Sequence, residues 1–390
     1  MTKPKRKQRL WLRILIFALV IVALGFAVTA LSIEVRYKAS EKSAASTESE
    51  YNGDYYYFNK LTYKEQLLFK EIKNAADNIK TDTDILPYRF TKDEFERVVL
   101  AVRFDCPSLF YINFNNTELF SDRYKTSVKL DYFESTQNIK SMKMELEATS
   151  AAAVAFTQNA ETDFEKAVIL HDFLTKSCTK SDKTDSDDYT NAHTACGALV
   201  DKKALCDGYS SALKILFNRC GIECIIAEGK SVDQAHVWNI AKLDGNYYHI
   251  DAIWNDSDLD FASELTFHGY FALSDDAIST THTLSTTFEL PKCESKDGYY
   301  SKIGAVITKS EDFESVAYTQ IKNAIDKKQP FFELDVRYTV NDGDFKEQLL
   351  SVLDRVNGEN EKKILSRSFR SFNATEDGHT KTLQIYYLEK

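Results

Sequence analysis

The sequence contains few of the residues that interrupt regular structure. Its 390 residues include only 13 glycines, 5 prolines and 3 methionines. This scarcity excludes collagen-like and Pro/Gly-rich low-complexity chains, and a hydrophobic share of 43% predicts folded domains with buried cores. Basic residues are also in deficit, because 49 Lys and Arg against 59 Asp and Glu leave a net charge of −10. A nucleic-acid-binding protein normally carries a basic face, so we expect no nucleic-acid partner.

Signatures of metal sites are missing from the sequence as well. No two cysteines are separated by two residues, and His193 with Cys196 alone is a poor zinc signature. The acidic stretch "DSDLDF" at 256–261 has Phe261 where an EF-hand needs glycine and Phe267 where it needs glutamate. We therefore expect neither a metal nor another cofactor.

The seven cysteines are an odd number, which leaves at least one thiol without a partner within the chain. Disulfides are permitted outside the cytoplasm, and Cys220 with Cys224 is one possible pair. Cys220 is predicted to end a helix and Cys224 to start a strand, so the sequence leaves their pairing open.

The N-terminus departs from the acidic balance of the rest of the chain. The segment "MTKPKRKQRL" is strongly basic, and an uncharged run extends from Ile14 to Leu31, long enough to cross a bilayer. We predict a cytoplasmic tail at 1–9 and a transmembrane helix, a signal anchor, at 10–31. The remaining chain is then extracytoplasmic in a single-pass membrane protein. A cleaved signal peptide ending at Ala30 is the alternative.

Composition and periodicity divide the rest of the chain into four segments. Residues 32–54 are small, polar and charged, as in a flexible stalk. Residues 55–150 predict a small α+β domain, and residues 151–290 contain the motifs with chemical potential. Residues 296–390 alternate helical and strand patterns and predict a second small α+β domain.

Two local patterns are informative within the first small domain. Thr91 followed by Glu94 three residues later is a capping-box pattern that predicts the start of a helix. The apolar segment "LFYINF" at 109–114 has the composition of a strand.

The segment "HVWNIAKLDGNYYHIDAIW" has the pattern of a β-hairpin. Asp244-Gly245 lies between two runs rich in aromatic and β-branched residues, which is a strong signal for a two-residue turn. Pairing outward from this turn places Trp238 opposite Asp251, and His236 diagonally across from Asp251 on the same face. Diagonal neighbours lie about 7–8 Å apart at the backbone, within reach of long side chains. The register therefore predicts that Asp251 orients the His236 imidazole, whereas a slip by one residue would separate them.

Cys206 lies at the start of a predicted amphipathic helix in "KALCDGYSSALKILF". The first turn of a helix has unpaired N–H groups and a positive dipole end, both of which favour a thiolate. The neighbouring Asp207 opposes this effect unless its carboxylate points away or caps the helix. Cys206, His236 and Asp251 would then supply a nucleophile, a base and an orienting carboxylate.

Together these motifs resemble the transglutaminase-like superfamily in its bacterial, membrane-anchored, extracytoplasmic form. The family's C-x-G-[YF], H-x-W-N and D-x-x-[WY] blocks correspond to Cys206–Tyr209, His236–Asn239 and Asp251–Trp254. The resemblance implies an α+β fold with a papain-like transglutaminase core, here flanked by two small α+β domains and preceded by one transmembrane helix. It also implies a Cys206–His236–Asp251 triad that transfers glutamine acyl groups to amines or hydrolyses amide bonds. Many relatives have threonine at the position of Ile253.

Three aromatic residues beside these motifs, Trp238, Trp254 and Tyr209, are predicted to shape a substrate pocket. An extracytoplasmic location favours a protein or peptide substrate at the cell wall or surface. A surface binding or scaffold protein that keeps the same fold without turnover is the alternative. The intact triad argues against this alternative, because a retired site has no need for all three residues.

Overall fold

The computed structural model of the chain describes residues 55–122, 125–181, 191–256, 266–327, 331–338, 340–359, 366–372 and 381–387. The predicted cytoplasmic tail, transmembrane helix and stalk lie outside these ranges and stay predictions. Among the helices within them, none combines the length and the apolar character needed to cross a membrane.

The N-terminal part consists of helices around a short β-hairpin. Its elements are α1 (Tyr63–Asp77), α2 (Lys92–Asp105), β1 (Glu118–Ser121), β2 (Thr126–Lys129) and α3 (Thr136–Ala155). The capping box at Thr91 and Glu94 is confirmed at the start of α2. The strand predicted at 109–114 is wrong, because 3-10 turns occupy Pro107–Leu109 and Phe114–Asn116. All four side chains from 109 to 112 are buried, whereas the side chains of a strand alternate between two faces.

The central part places helices on a five-stranded antiparallel sheet. Its elements are α4 (Asp163–Ser177), β3 (Thr179–Lys180), β4 (Lys203–Ala204), α5 (Cys206–Arg219), β5 (Cys224–Ser231), β6 (Gln234–Leu243), β7 (Asn246–Ile250), α6 (Ala252–Asn255), β8 (Phe271–Leu273), α7 (Asp275–Ile278) and β9 (His282–Leu284). The strand order in the described part of the sheet is β8-β7-β6-β5-β9, and α5 packs on β5 and β6. This mixture confirms the predicted α+β class.

The predicted register of the β6–β7 hairpin is confirmed. Leu243 pairs with Asn246, and the pairing continues to Asn239 opposite Ile250. Asp244 and Gly245 have φ angles of 49° and 91°. Positive φ at both central residues is what a two-residue hairpin turn of this twist requires.

The C-terminal part has its own sheet. Its elements are α8 (Tyr299–Lys302), β10 (Val306–Ile307), α9 (Phe313–Asp326), β11 (Phe331–Val336), α10 (Asp342–Glu359), β12 (Ser366–Phe372) and β13 (Lys381–Tyr387). The described strands lie in the order β10-β11-β13-β12, with β10 parallel to β11.

Hydrophobic packing joins the N-terminal and central parts. One core cluster runs from Tyr57 to Cys293, and a second runs from Ile307 to Val356 in the C-terminal part. Helix α3 crosses the boundary predicted at residue 150. The division into three folded domains stays a prediction, although its first two members share one core.

Candidate active site

The three residues Cys206, His236 and Asp251 meet where the start of α5 faces the sheet. His236 Nε2 lies 2.6 Å from Asp251 Oδ2, and the Cys206 side chain is among the groups that raise the pKa of His236. Cys206 and His236 line the same open cleft. Asp251 is fully buried, and the side chain of His236 is 9% exposed. The structure thus brings the predicted nucleophile, base and orienting carboxylate together at one site.

Local structure holds both ends of this site. Cys206 is the first residue of α5, and Leu205 before it provides no side-chain cap, so the positive helix end lies beside the thiol. At the other end, Asp251 follows β7 and caps α6. Its Oδ1 accepts the backbone N–H of Trp254 at 3.1 Å. This bond limits rotation of the carboxylate that receives His236.

Hydrogen bonds set the charge states of the pair. Burial lowers the pKa of His236, but its hydrogen bonds to Asp251 and Cys206 outweigh burial and raise that pKa to about 10. Burial raises the pKa of Asp251, yet its hydrogen bonds with His236 and His282 outweigh burial and bring that pKa to about 2. At neutral pH His236 is therefore an imidazolium beside an ionised carboxylate. An imidazolium next to a cysteine favours the thiolate, which is the nucleophilic form.

The Asp207 carboxylate, adjacent to Cys206 in sequence, bonds Arg103 and His193. Its Oδ2 lies 2.6 Å from an Arg103 nitrogen and 2.7 Å from His193 Nδ1, and its Oδ1 accepts the Gly208 N–H at 3.1 Å. The guanidinium compensates the negative charge that the sequence places next to the thiol. Since Arg103 belongs to α2, the N-terminal part of the chain contributes to the site.

An open cleft of about 760 Å³ exposes Cys206 and His236. Its walls carry charges of both signs, with Arg103 and Lys180 against Glu228. A cleft of this size that ends at a thiol and an imidazole is suited to an extended polar ligand.

Of the three aromatic residues predicted to shape the pocket, only Trp254 lines the cleft. Tyr209 is buried in α5, and its hydroxyl bonds the carboxylate of Asp256, which does line the cleft. Tyr209 therefore acts on the cleft wall only through Asp256.

Trp238 lies behind His236 and is not among the residues that line the cleft. The two rings stack at 5.9 Å with an angle of 18° between their planes. The indole N–H donates to His249 Nδ1 at 2.9 Å, and His282 packs on the other side at 4.9 Å. His236 and Trp238 are two residues apart on β6 and therefore point to the same face of the sheet. Only His236 lines the cleft.

Sequence reasoning missed His282. Its Nε2 lies 3.0 Å from Asp251 Oδ2, the oxygen that also bonds His236. His282 pairs with Ser231 at the edge of the sheet. Strand β9 has three residues within the polar stretch "STTHTLSTT", which lacks apolar alternation. No sequence signal was available to place it there.

Three groups in the described part of the chain bring histidine and carboxylate ligand atoms within 4.8 Å of one another; they are His236/Asp251/His282, His171/Asp172/His268 and His249/Asp275/Cys293. In each group the imidazole nitrogens already bond the shared carboxylate. A metal ion would have to displace those bonds, so the groups are organised as hydrogen-bonded clusters.

Comparison with known proteins agrees with the site geometry. Residues 150–252 match the model of the transglutaminase-like superfamily. This stretch contains Cys206, His236 and Asp251. The chain therefore carries a domain of the transglutaminase-like superfamily, as its motifs predict.

A solved structure described as the crystal structure of a TGase is similar to this chain. The two share 13% sequence identity over 45% of this chain and 52% of that chain, with a TM-score of 0.27. The chain thus spans about half the length of that structure, and a similarity this low says nothing about the reaction. No curated protein matches the chain.

Proposed function

We propose that the protein is a cysteine enzyme that forms a thioester at Cys206 from a carboxamide or a peptide bond. The contact set of His236 supports this proposal most directly. One ring nitrogen bonds the Asp251 carboxylate, and the ring lines the same cleft as the Cys206 thiol, an arrangement suited to an activated nucleophile.

In the first half of the reaction, the Cys206 thiolate attacks the carbonyl carbon and forms a C–S bond. The backbone N–H of Cys206, at the start of α5, is placed to stabilise the developing oxyanion. The C–N bond then breaks, and the His236 imidazolium gives its proton to the departing amine or ammonia. The products are a thioester on Cys206 and a neutral imidazole.

In the second half, the neutral His236 takes a proton from an incoming amine or water as it attacks the thioester carbonyl. The C–S bond breaks, and the thiolate and imidazolium form again. Asp251 keeps the imidazole oriented through both halves. An amine yields a new amide and water yields a carboxylate.

The substrate that we propose is a protein or peptide outside the cytoplasm, with the chain anchored through its N-terminal apolar segment. The open cleft with charges of both signs supports a peptide-like ligand. The basic segment followed by the uncharged run up to Leu31 supports the anchor. Incubation with a glutamine peptide, with and without a primary amine, separates acyl transfer from hydrolysis.

Alkylation of the full-length protein by iodoacetamide across pH tests the proposal. We expect Cys206, followed by mass spectrometry of its peptide, to react faster than an ordinary thiol near neutral pH, because the adjacent imidazolium activates it. His236→Ala should remove this advantage. Cys220, the other partly exposed cysteine, contacts the Thr157 hydroxyl and serves as a reference in the same molecule. If Cys206 reacts only as an ordinary thiol and His236→Ala changes nothing, the fold serves binding and not turnover.

A further inference from the structure

We propose that His282 is a positioning residue of this site. It holds Asp251, which in turn holds His236. This inference rests on the function proposed above, since it assigns a role within the same reaction. The motif blocks of the sequence contain Cys206, His236 and Asp251 but do not contain His282, which lies 31 residues beyond Asp251.

The first support is the shared oxygen. Asp251 Oδ2 receives His236 Nε2 at 2.6 Å and His282 Nε2 at 3.0 Å. Its other oxygen receives the Trp254 N–H at 3.1 Å. A carboxylate with three donors around it stays ionised and has little freedom to rotate. Loss of His282 would remove one of the three.

The second support is the tautomer that these contacts require. An ionised carboxylate only accepts hydrogen bonds, so both imidazoles present Nε2–H to Asp251. His282 Nδ1 lies 2.8 Å from the Thr281 hydroxyl, which can donate to it. The contacts therefore let His282 donate to the carboxylate that also receives His236.

The third support is the dry surroundings of the His282 ring. Its side chain is 1% exposed, and it packs against Trp238, Trp254 and Tyr270 at ring distances of 4.9, 5.3 and 5.7 Å. A hydrogen bond counts for more where water is excluded, because no solvent replaces a lost donor. The titratable groups that surround the ring are Asp251, His236, Tyr270 and His249.

The fourth support is the close approach of β9 to the sheet. Gly229 pairs with Leu284 on one side and with His236 on the other. A Cβ atom at Gly229 would lie 1.9 Å from the Thr283 carbonyl oxygen. Only glycine admits β9 at this distance, and β9 is the strand that carries His282 to Asp251.

The test compares two substitutions of His282 by the rate of Cys206 alkylation in the full-length protein. His282→Phe keeps a ring of similar size but removes the donor. We expect the rate near neutral pH to fall about ten- to a hundredfold, the size of one hydrogen bond to a charged group. The hydrogen bond from His282 lowers the pKa of Asp251. Its loss should therefore also raise the pH at which the alkylation rate falls on the acid side, which we call the edge of the rate profile. His282→Gln restores an N–H near the position of Nε2 and should recover most of the rate and the edge.

His171→Phe is the matched control. His171 is also a buried imidazole on a carboxylate, but its Nδ1 bonds Asp172 and not Asp251. We expect its rate profile to follow that of the unmodified protein. The positioning role is refuted if His282→Phe keeps both the alkylation rate and the edge of the rate profile. It is also refuted if His282→Gln loses as much rate as His282→Phe while the edge does not move. The proposed function fails separately, if Cys206 of the unmodified protein reacts no faster than the reference Cys220.

Discussion

In the part of the chain that the structure describes, two clusters have histidines that share a carboxylate, and only one of these clusters meets the cleft. The site cluster consists of His236, His282 and Asp251. The interior cluster consists of His171, His268, Asp172 and Glu333. The two clusters have similar chemical composition, so the difference between them shows what turns a buried histidine pair into a candidate for catalysis.

The partner of the second ring nitrogen makes the difference. In the interior cluster His268 Nε2 lies 2.9 Å from Asp172 and Nδ1 lies 2.6 Å from Glu333. Carboxylates thus occupy both of its nitrogens, and the ring stacks on Tyr299 at 3.9 Å. His236 has one nitrogen on a carboxylate and shares the cleft with the Cys206 thiol. A histidine held by two carboxylates stabilises a fold, whereas one that a carboxylate holds beside a thiol can move a proton.

The interior cluster also ties the C-terminal sheet to the central part. Glu333 lies on β11, and its carboxylate accepts from the His268 ring, the His268 backbone N–H and the Tyr300 hydroxyl. Phe267, next to His268, lines the cleft. The contact between His268 and Glu333 is therefore a joint between the central part and the C-terminal sheet. This joint supports the wall of the cleft that Phe267 forms.

The largest effect should come from replacing the two shared aspartates in turn. Asp251→Asn removes the acceptor that fixes the His236 tautomer, and a change of this kind in a comparable triad lowers turnover roughly 10⁴-fold. We expect a loss of about 10³- to 10⁴-fold in thioester formation on a glutamine peptide, measured by stopped-flow or quench kinetics. Asp172→Asn is the matched control, and its folded form should keep the rate. Equal losses in both variants would remove the distinction between the clusters.

The sequence carries the centre of the site but not its periphery. The Asp244-Gly245 turn and the alternation around it determine the register, so the meeting of His236 and Asp251 follows from residues close in the chain. Cys206 follows from a helix start, which is also a local pattern. Such patterns are readable because period and turn chemistry depend on neighbours.

The periphery depends on contacts that no local pattern encodes. Arg103 reaches Asp207 across 104 residues, and His282 reaches Asp251 from a short edge strand. The strand composition of 109–114 was misleading because packing buries consecutive side chains there. Trp238 is an aromatic residue within a motif, which predicted a place in the pocket, yet tertiary packing places it behind His236. The sequence predicts to which face of a strand or helix a side chain points. It does not predict which distant segment of the chain packs against that face.

A second test breaks the joint without touching the site. Glu333→Gln leaves His268 with one carboxylate in a buried position, and breaking a buried ion pair costs about 3–5 kcal/mol. We expect the free energy of unfolding in urea to fall by that amount, while Cys206 alkylation in the folded protein keeps its rate. Glu311→Gln, at an exposed pair with Lys309, should change neither quantity. A fall in alkylation would show that the joint controls the site through the Phe267 wall.

The smallest expected effect is on the pH dependence of the free energy of unfolding. This dependence distinguishes His268 in the interior cluster from His236 in the site cluster. Burial lowers the pKa of His268, but the charges of Glu333 and Asp172 outweigh burial and raise it to about 9. A folded pKa above the unfolded value of about 6.5 means that the stabilisation is complete below that pH. It is lost as the pH rises through about 9, and its size is about 3 kcal/mol.

His236 has the same sign with a higher limit, because its pKa is raised to about 10. Unfolding free energies measured in urea at several pH values should therefore fall on the alkaline side for the unmodified protein. His268→Gln should remove the part of that fall that ends near pH 9, and it should leave the part that continues toward the pKa of His236. A slope that His268→Gln leaves intact would place the alkaline loss in the site cluster alone. The pKa of His268 in the interior cluster would then be no higher in the folded state than in the unfolded state.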